Sequence, residues 1–303
     1  VGPYLSEYLI ESVMRRVRMP ISQATLETWE ILSIADEQMR GYIVPIAIGL
    51  VEDYLIAPEY DVAIQAAQST YRPPDRAMKL REVAFLDAAG HVRDIPRVLR
   101  EDLEGADTGF YLDGANVVLI MPEQCPGWSL RMTYHLRPSQ IVPSANVGVV
   151  SSLVRATGVV TLAASISALT GATKVDLLHG KPPFDVLAQD VTCTVATTTV
   201  TISPASAIPA SWGSAGDFVC LSQQAPGPQL HPDIFPWLAQ AIAVEILDGN
   251  SDDTGFQRAA AKLKELEKHA RSLLDNRVPG EPNIIGGGIN YLWDRRWNYR
   301  RWV

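Results

Sequence analysis

No run in the 303-residue sequence approaches the ~20 consecutive apolar residues that a membrane span requires. Residues 1–18 mix Glu7, Glu11, Arg15, Arg16 and Arg18 into an amphipathic pattern unlike a signal peptide, so a soluble, unexported protein with no membrane partner is expected. Cysteine is scarce. Cys125, Cys193 and Cys220 are widely spaced, odd in number and without a CxxC pair, which excludes a disulfide framework and predicts buried thiols in a reducing cytoplasm. The five histidines, His91, His135, His179, His231 and His269, form no i,i+4 pair, so neither a metal cluster nor a cofactor is expected.

Catalytic signatures are also lacking. Gly171-Ala172-Thr173-Lys174 has no glycine directly before the lysine and so lacks the spacing of a phosphate-binding loop. In Gly213-Ser214-Ala215-Gly216, Trp212 occupies the place of the first glycine of a nucleophile elbow, and a turn is expected instead. Asp248-Gly249-Asn250-Ser251-Asp252 begins like a calcium loop. Its next glycine, Gly255, falls two places late, however, and Ala259 stands where the bidentate glutamate should be; a helix–helix turn capped by Asp252, Asp253 or Thr254 fits better.

With 47% hydrophobic and 20% charged residues, the chain can bury a real core, as one large domain or two to three small ones. Charge is unevenly spread: residues 1–290 carry a net −11 and residues 291–303 a net +3. The acidic body argues against a broad phosphate-binding surface, yet it suits a surface past which DNA moves without sticking.

Helical periodicity at both ends and alternation in the middle predict an α+β fold. It comprises a helical bundle formed by N- and C-terminal helices, an inserted antiparallel β region and an extended C-terminal tail. The expected units are N-terminal helices in 1–60, a β region in 61–230 divisible at 140/141, C-terminal helices in 231–282 and the tail in 283–303. Three N-terminal helices are expected at about 3–18, 22–40 and 42–55. Trp29, Leu32, Ala35 and Met39 mark the apolar face of the second, Ser22 is its cap, and Pro45 kinks or delays the third. In the β region, Asp113-Gly114 signals a hairpin, Leu130, Met132, Tyr134 and Leu136 alternate as a half-buried strand, and the sparsely charged stretch 141–230 reads as a small barrel or sandwich. Beyond Pro236, the stretch Trp237–Leu247 is apolar on nearly all sides and must be covered on nearly all sides. The next helix, about 254–276, carries a seam of Phe256, Ala259, Leu263, Leu266, Ala270 and Leu273.

Two segments are candidate contact sites. In His179-Gly180-Lys181-Pro182-Pro183-Phe184-Asp185, the residues His179, Lys181 and Asp185 converge around backbone-stiffening neighbours. The segment reads as a rigid β-connection satisfying its own backbone, as a contact loop, or, using His179 and Asp185, as a hydrolytic site. After Gly286-Gly287-Gly288, the tail combines Tyr291, Trp293, Trp297, Tyr299 and Trp302 with Arg295, Arg296, Arg300 and Arg301. Aromatics and arginine dominate interface hot spots, so docking on another subunit is favoured over folding back or binding a nucleic acid or a membrane surface.

Across about residues 20–282 the pattern resembles the head-to-tail adaptor, or connector, proteins of tailed bacteriophages. The resemblance is carried by Tyr71-Arg72-Pro73-Pro74-Asp75-Arg76-Ala77, Leu80-Arg81-Glu82-Val83, Gly109-Phe110-Tyr111-Leu112-Asp113-Gly114, Leu136-Arg137-Pro138, Gly180-Lys181-Pro182 with Phe184-Asp185, and His231-Pro232. It implies no enzyme and no catalytic residue. It implies instead a structural protein of the virion, made in the host cytoplasm and placed at the head-to-tail interface. Such a protein forms a homo-oligomeric, typically dodecameric ring beneath the portal protein, contacts a downstream tail, stopper or terminator protein, and extends the channel through which DNA passes without specific contacts. Its extended C-terminal segment would be the portal-docking element, although the aromatic end from Trp293 to Trp302 matches no family motif. The alternative is a β-rich tail or baseplate module that binds a surface ligand through Trp128 and Trp212.

Overall fold

The computed structural model describes residues 4–18, 26–51, 54–55, 57, 60–66, 68–105, 108–120, 127–249 and 253–274. Among them are five α-helices, α1 (Ser6–Val17), α2 (Thr28–Gln38), α3 (Val44–Leu50), α4 (Phe235–Gly249) and α5 (Asp253–Leu274), and antiparallel sheets that include a closed six-stranded barrel. The fold is therefore α+β.

The helices share one apolar cluster drawn from both ends of the chain, including Leu9 and Val13 of α1, Ile31 and Ala35 of α2, Ala47 of α3, Leu238 and Ile242 of α4, and Ala270 of α5. Helix α4 is central. Its all-round apolarity is covered by its own chain, since α1, α2 and α5 all pack on it and Trp237, Leu238, Ala239, Ile242 and Ala243 are buried.

The structure refines the helical expectations. Helix α2 begins at Thr28, with the Glu27 amide donating to Glu30 Oε2 at 2.7 Å, so Ser22, outside the described residues, is not its cap. Its buried face is Ile31, Leu32, Ala35 and Met39, while Trp29 is 64% exposed. Six residues at ~100° each carry Trp29 about 120° around the helix from Ala35, off that face. The third helix is delayed past Tyr42 to Val44, with Pro45 in its first turn, as expected. A π-helical turn, Met39–Ile43, joins α2 to α3, and the Val44 amide bonds back to Met39 O in the five-residue register. That wider turn accommodates a proline at the start of α3 that has no N–H to give to the preceding turn, and the helix then ends at Leu50, with Val51 extended. In α5 the seam runs Ala259, Leu263, Leu266, Ala270 and then Leu274, leaving Leu273 49% exposed.

The first β layer contains β1 (Tyr60–Ala63), β2 (Thr70–Tyr71), β3 (Ala77–Leu86), β4 (Val92–Asp94), β5 (Gly109–Asp113), β6 (Asn116–Ile120) and β7 (Ser129–Leu136). Strands β1-β7-β3-β4 form one antiparallel sheet and β2-β6-β5 another. Val83, Phe85, Leu130 and Met132 of the first meet Tyr71, Phe110, Val117 and Leu119 of the second in one cluster, a small sandwich. The expected hairpin is present: Asp113 pairs with Asn116, and Gly114 takes φ 60°, a left-handed conformation that needs no Cβ. Strand β7 buries Leu130, Met132, Tyr134 and Leu136 as predicted, but His135 is buried too, its Nδ1 2.8 Å from Tyr54 O. The alternation fails there because Tyr54, Leu55 and Ala57 run alongside this end of β7, with Leu136 N donating to Leu55 O and Ala57 N to Tyr134 O.

The barrel is built from β9 (Gly148–Val154), β10 (Val159–Leu162), β11 (Lys174–Leu178), β12 (Val186–Ala196), β13 (Thr199–Ile202) and β14 (Phe218–Leu221), in the closed order β10-β13-β12-β11-β14-β9. Val150, Val160, Val175, Leu177, Cys193, Val200 and Val219 fill it, and Trp212 is fully buried among them, its Nε1 donating to Leu178 O at 3.0 Å. Cys193 and Cys220 are buried free thiols as expected, whereas Cys125 lies outside the described residues.

Helices and β region meet at Asp36. Ahead of the barrel, Gln140–Ile141 pairs in parallel with Gln224–Ala225, and Asp36 Oδ1 of α2 accepts the Ile141 amide at 2.9 Å. Burial raises the Asp36 pKa to about 6, against the opposing pulls of that hydrogen bond and Arg40. A carboxyl whose folded pKa lies above its unfolded one favours the folded state fully below the unfolded pKa, near 4, and loses that contribution as pH rises through 6. Asp36→Asn keeps an oxygen for the Ile141 amide and removes the charge. Urea titrations should show it close to the parent at pH 4 and more stable by up to about 3 kcal/mol at pH 8.

Candidate contact loop and interdomain polar joints

The loop 179–185 connects β11 to β12, and its own backbone fixes it. The His179 amide donates to Asp185 O at 3.0 Å and the Phe184 amide to Lys181 O at 2.9 Å. The His179 Nδ1 accepts the Lys181 amide at 3.1 Å, so one ring nitrogen is spent on stiffening the turn. Phe184 adopts φ 57° and is buried, its ring 5.9 Å from that of Phe218 at 69°, and its carbonyl accepts from the buried Gln229 Nε2 at 3.0 Å. Gly180 lies directly against the backbone of Gly216, where a side chain would collide. The loop is thus plugged into the body by Phe184, while Lys181 and Asp185 are exposed. Burial raises the Asp185 pKa, and the nearby His179 opposes that shift only in part. Lys181 shares the turn but makes no described ion pair.

The same joint explains the elbow-like segment at 213–216. Asp217 Oδ2 accepts the Gly213 and Ser214 amides, each at 2.9 Å, and Oδ1 accepts the Gly180 amide at 2.8 Å. One buried carboxylate therefore ties the Gly213–Gly216 turn to the contact loop, and the glycines serve a turn. A second buried carboxylate was not recognised from sequence. Asp176 of β11 meets Arg76, from the turn before β3, at 2.7 Å, while Arg76 also donates to Ser139 Oγ at 3.0 Å. Asp176 further accepts the amides of Asp190 and Gln223, at 2.9 and 2.8 Å, and with Arg76 it joins the sandwich to the barrel. The available signals were a lone aspartate inside the apolar run Val175–Leu178 and a second arginine in Arg72–Arg76.

The aromatic candidates separate. Trp128 is half-buried, its ring 5.8 Å from that of Phe85 and 5.1 Å below the Arg93 guanidinium, whereas Trp212 is the barrel core and is no surface platform. The tail residues Tyr291, Trp293, Arg295, Arg296, Trp297, Tyr299, Arg300, Arg301 and Trp302 all lie outside the described residues. Among the described residues, no group of three or more His, Cys, Asp or Glu side chains could hold a metal, and no helix is long and apolar enough to cross a membrane. Compared with known proteins, the chain matches no family model and no curated protein sequence.

Proposed function

We propose that this chain is a structural head-to-tail adaptor of a tailed bacteriophage. In this reading a dodecameric ring of copies sits beneath the portal protein, extends the DNA channel and receives the downstream tail, stopper or terminator protein. The helices of both chain ends form the ring's base, the β region is an insertion between them, and residues 286–303 dock on the portal.

The observation that carries the reading is the shared helical core. Leu9 and Val13 of α1 share one apolar cluster with Ala270 and Leu274 of α5, so α5 closes on the base formed with α1. A segment carrying five large aromatics and four arginines that follows such a base is suited to anchoring it on a neighbour. The acidic body is suited to a lumen that passes DNA without gripping it.

Deleting the gene from the virus that carries it tests this reading. Electron microscopy of the lysate should show heads without tails, and restoring the full-length chain should restore tailed particles. Tailed particles that assemble but fail to adsorb would overturn the adaptor reading in favour of a tail or baseplate module.

A further inference from the structure

At one end of the helical layer, the last turn of α1, the middle of α4 and the first turns of α5 enclose a pocket of about 450 Å³. Its size falls within the roughly 300–1,000 Å³ of small-molecule sites. Arg16, Arg18, Arg258 and Lys262 line it, and none of its described lining residues is acidic. No described carboxylate forms an ion pair with any of the four. In a chain of net charge −8, four cations around one cavity are a local reversal of sign.

The pocket is also organised from beneath. Gln240, buried on α4, donates its Nε2 to Ala259 O at 3.1 Å, which fixes its Oε1 toward Arg16 Nη1 at 3.3 Å. The guanidinium is thereby held at the wall of the cavity, while its buried Nε has no hydrogen-bond partner in the described structure. Burial and the neighbouring Arg15 push the Arg16 pKa down, against a smaller opposing pull from Tyr8. Thr254 and Gly255, in the first turn of α5, also line the pocket.

We propose that this pocket is a binding site for a phosphate-bearing anion of two or more charges. Three arginines supply planar forks that match phosphate oxygens in pairs, and four positive charges are poorly matched by a single carboxylate. The phosphate can come from a free ligand, such as a diphosphate, or from a polynucleotide backbone. The chemistry is the same, and the site stands whether or not the chain assembles as proposed above.

Calorimetric titration of full-length protein with inorganic pyrophosphate tests the proposal, with a short DNA duplex and a glutamate oligopeptide as further arms. Saturable pyrophosphate binding that weakens with added salt is expected. The double variant Arg258→Gln, Lys262→Gln should bind on the order of tenfold or more weakly at an unchanged circular dichroism spectrum. Both residues are exposed on α5, so their replacement leaves the fold intact, and Arg16→Gln provides an independent check from another helix. DNA binding that pyrophosphate competes away identifies a polynucleotide source; pyrophosphate binding without DNA binding identifies a free ligand. The proposal is overturned by absent pyrophosphate binding, by binding that the substitutions leave unchanged, or by glutamate-peptide binding that pyrophosphate does not displace.

Discussion

Replacing Arg76 with alanine should cost the fold about 3–5 kcal/mol, because it strands a buried carboxylate instead of merely deleting a contact. Asp176 is wholly buried and Arg76 is 4% exposed, so neither charge has water to return to when its partner is lost. Burial already holds the Asp176 pKa above its ordinary value, even with Arg76 and two backbone amides favouring the charged form. Without Arg76 it rises further. A carboxyl whose folded pKa is raised destabilises the fold as pH climbs through that pKa, so the loss in Arg76→Ala should be larger at pH 8 than at pH 5. Arg76→Lys should recover only part of the stability, since one ammonium cannot reach Asp176 and Ser139 with the same fork. Urea unfolding at the two pH values measures both effects. An Arg76→Ala variant within 1 kcal/mol of the parent, taking roughly that as the value of an exposed pair, would show that the joint is solvated in solution.

A loss of about 3–5 kcal/mol is also expected for Trp212→Ala, localised in the barrel. The indole is fully buried among Val150, Leu177, Val200 and Val219, and its removal leaves a cavity as well as an unpaired carbonyl at Leu178. The neighbouring Gly213, at φ 106° and pressed against Leu153, leaves the backbone little room to collapse into the space. Hydrogen exchange should lose protection at the barrel amides at lower urea than at the helical amides. Unchanged stability would return Trp212 to the surface, and with it the reading of a module that binds a surface ligand.

What the sequence reveals and what it hides divide along the range of the interactions. The Asp113-Gly114 hairpin and the alternation in β7 are local patterns, written in neighbouring residues, and both appear as expected. The barrel was legible as a class, because sparse charge and period-two valines require a closed or doubly covered sheet. Trp29 was misplaced because its spacing from Leu32 looks helical, while its angle from Ala35 and Met39 does not fit the face. Pro45 marks the delayed start of α3, but no local pattern announced the π-helical turn that joins it to α2. Arg76 and Asp176 lie 100 residues apart, so nothing short of the fold pairs them. The contact loop was visible as a rigid turn through its prolines, but the plug formed by Phe184 and the tie to Asp217 depend on strands that arrive later. The basic pocket escaped notice for the same reason: its cations come from α1 and α5, hidden within an acidic total.

Co-sedimentation with the portal ring of the same virion tests the central claim most directly. Full-length protein should pellet with the ring, and a chain truncated after Ile285, which removes all nine candidate docking residues, should stay in the supernatant. Failure of the full-length chain to bind the portal would contradict the adaptor account.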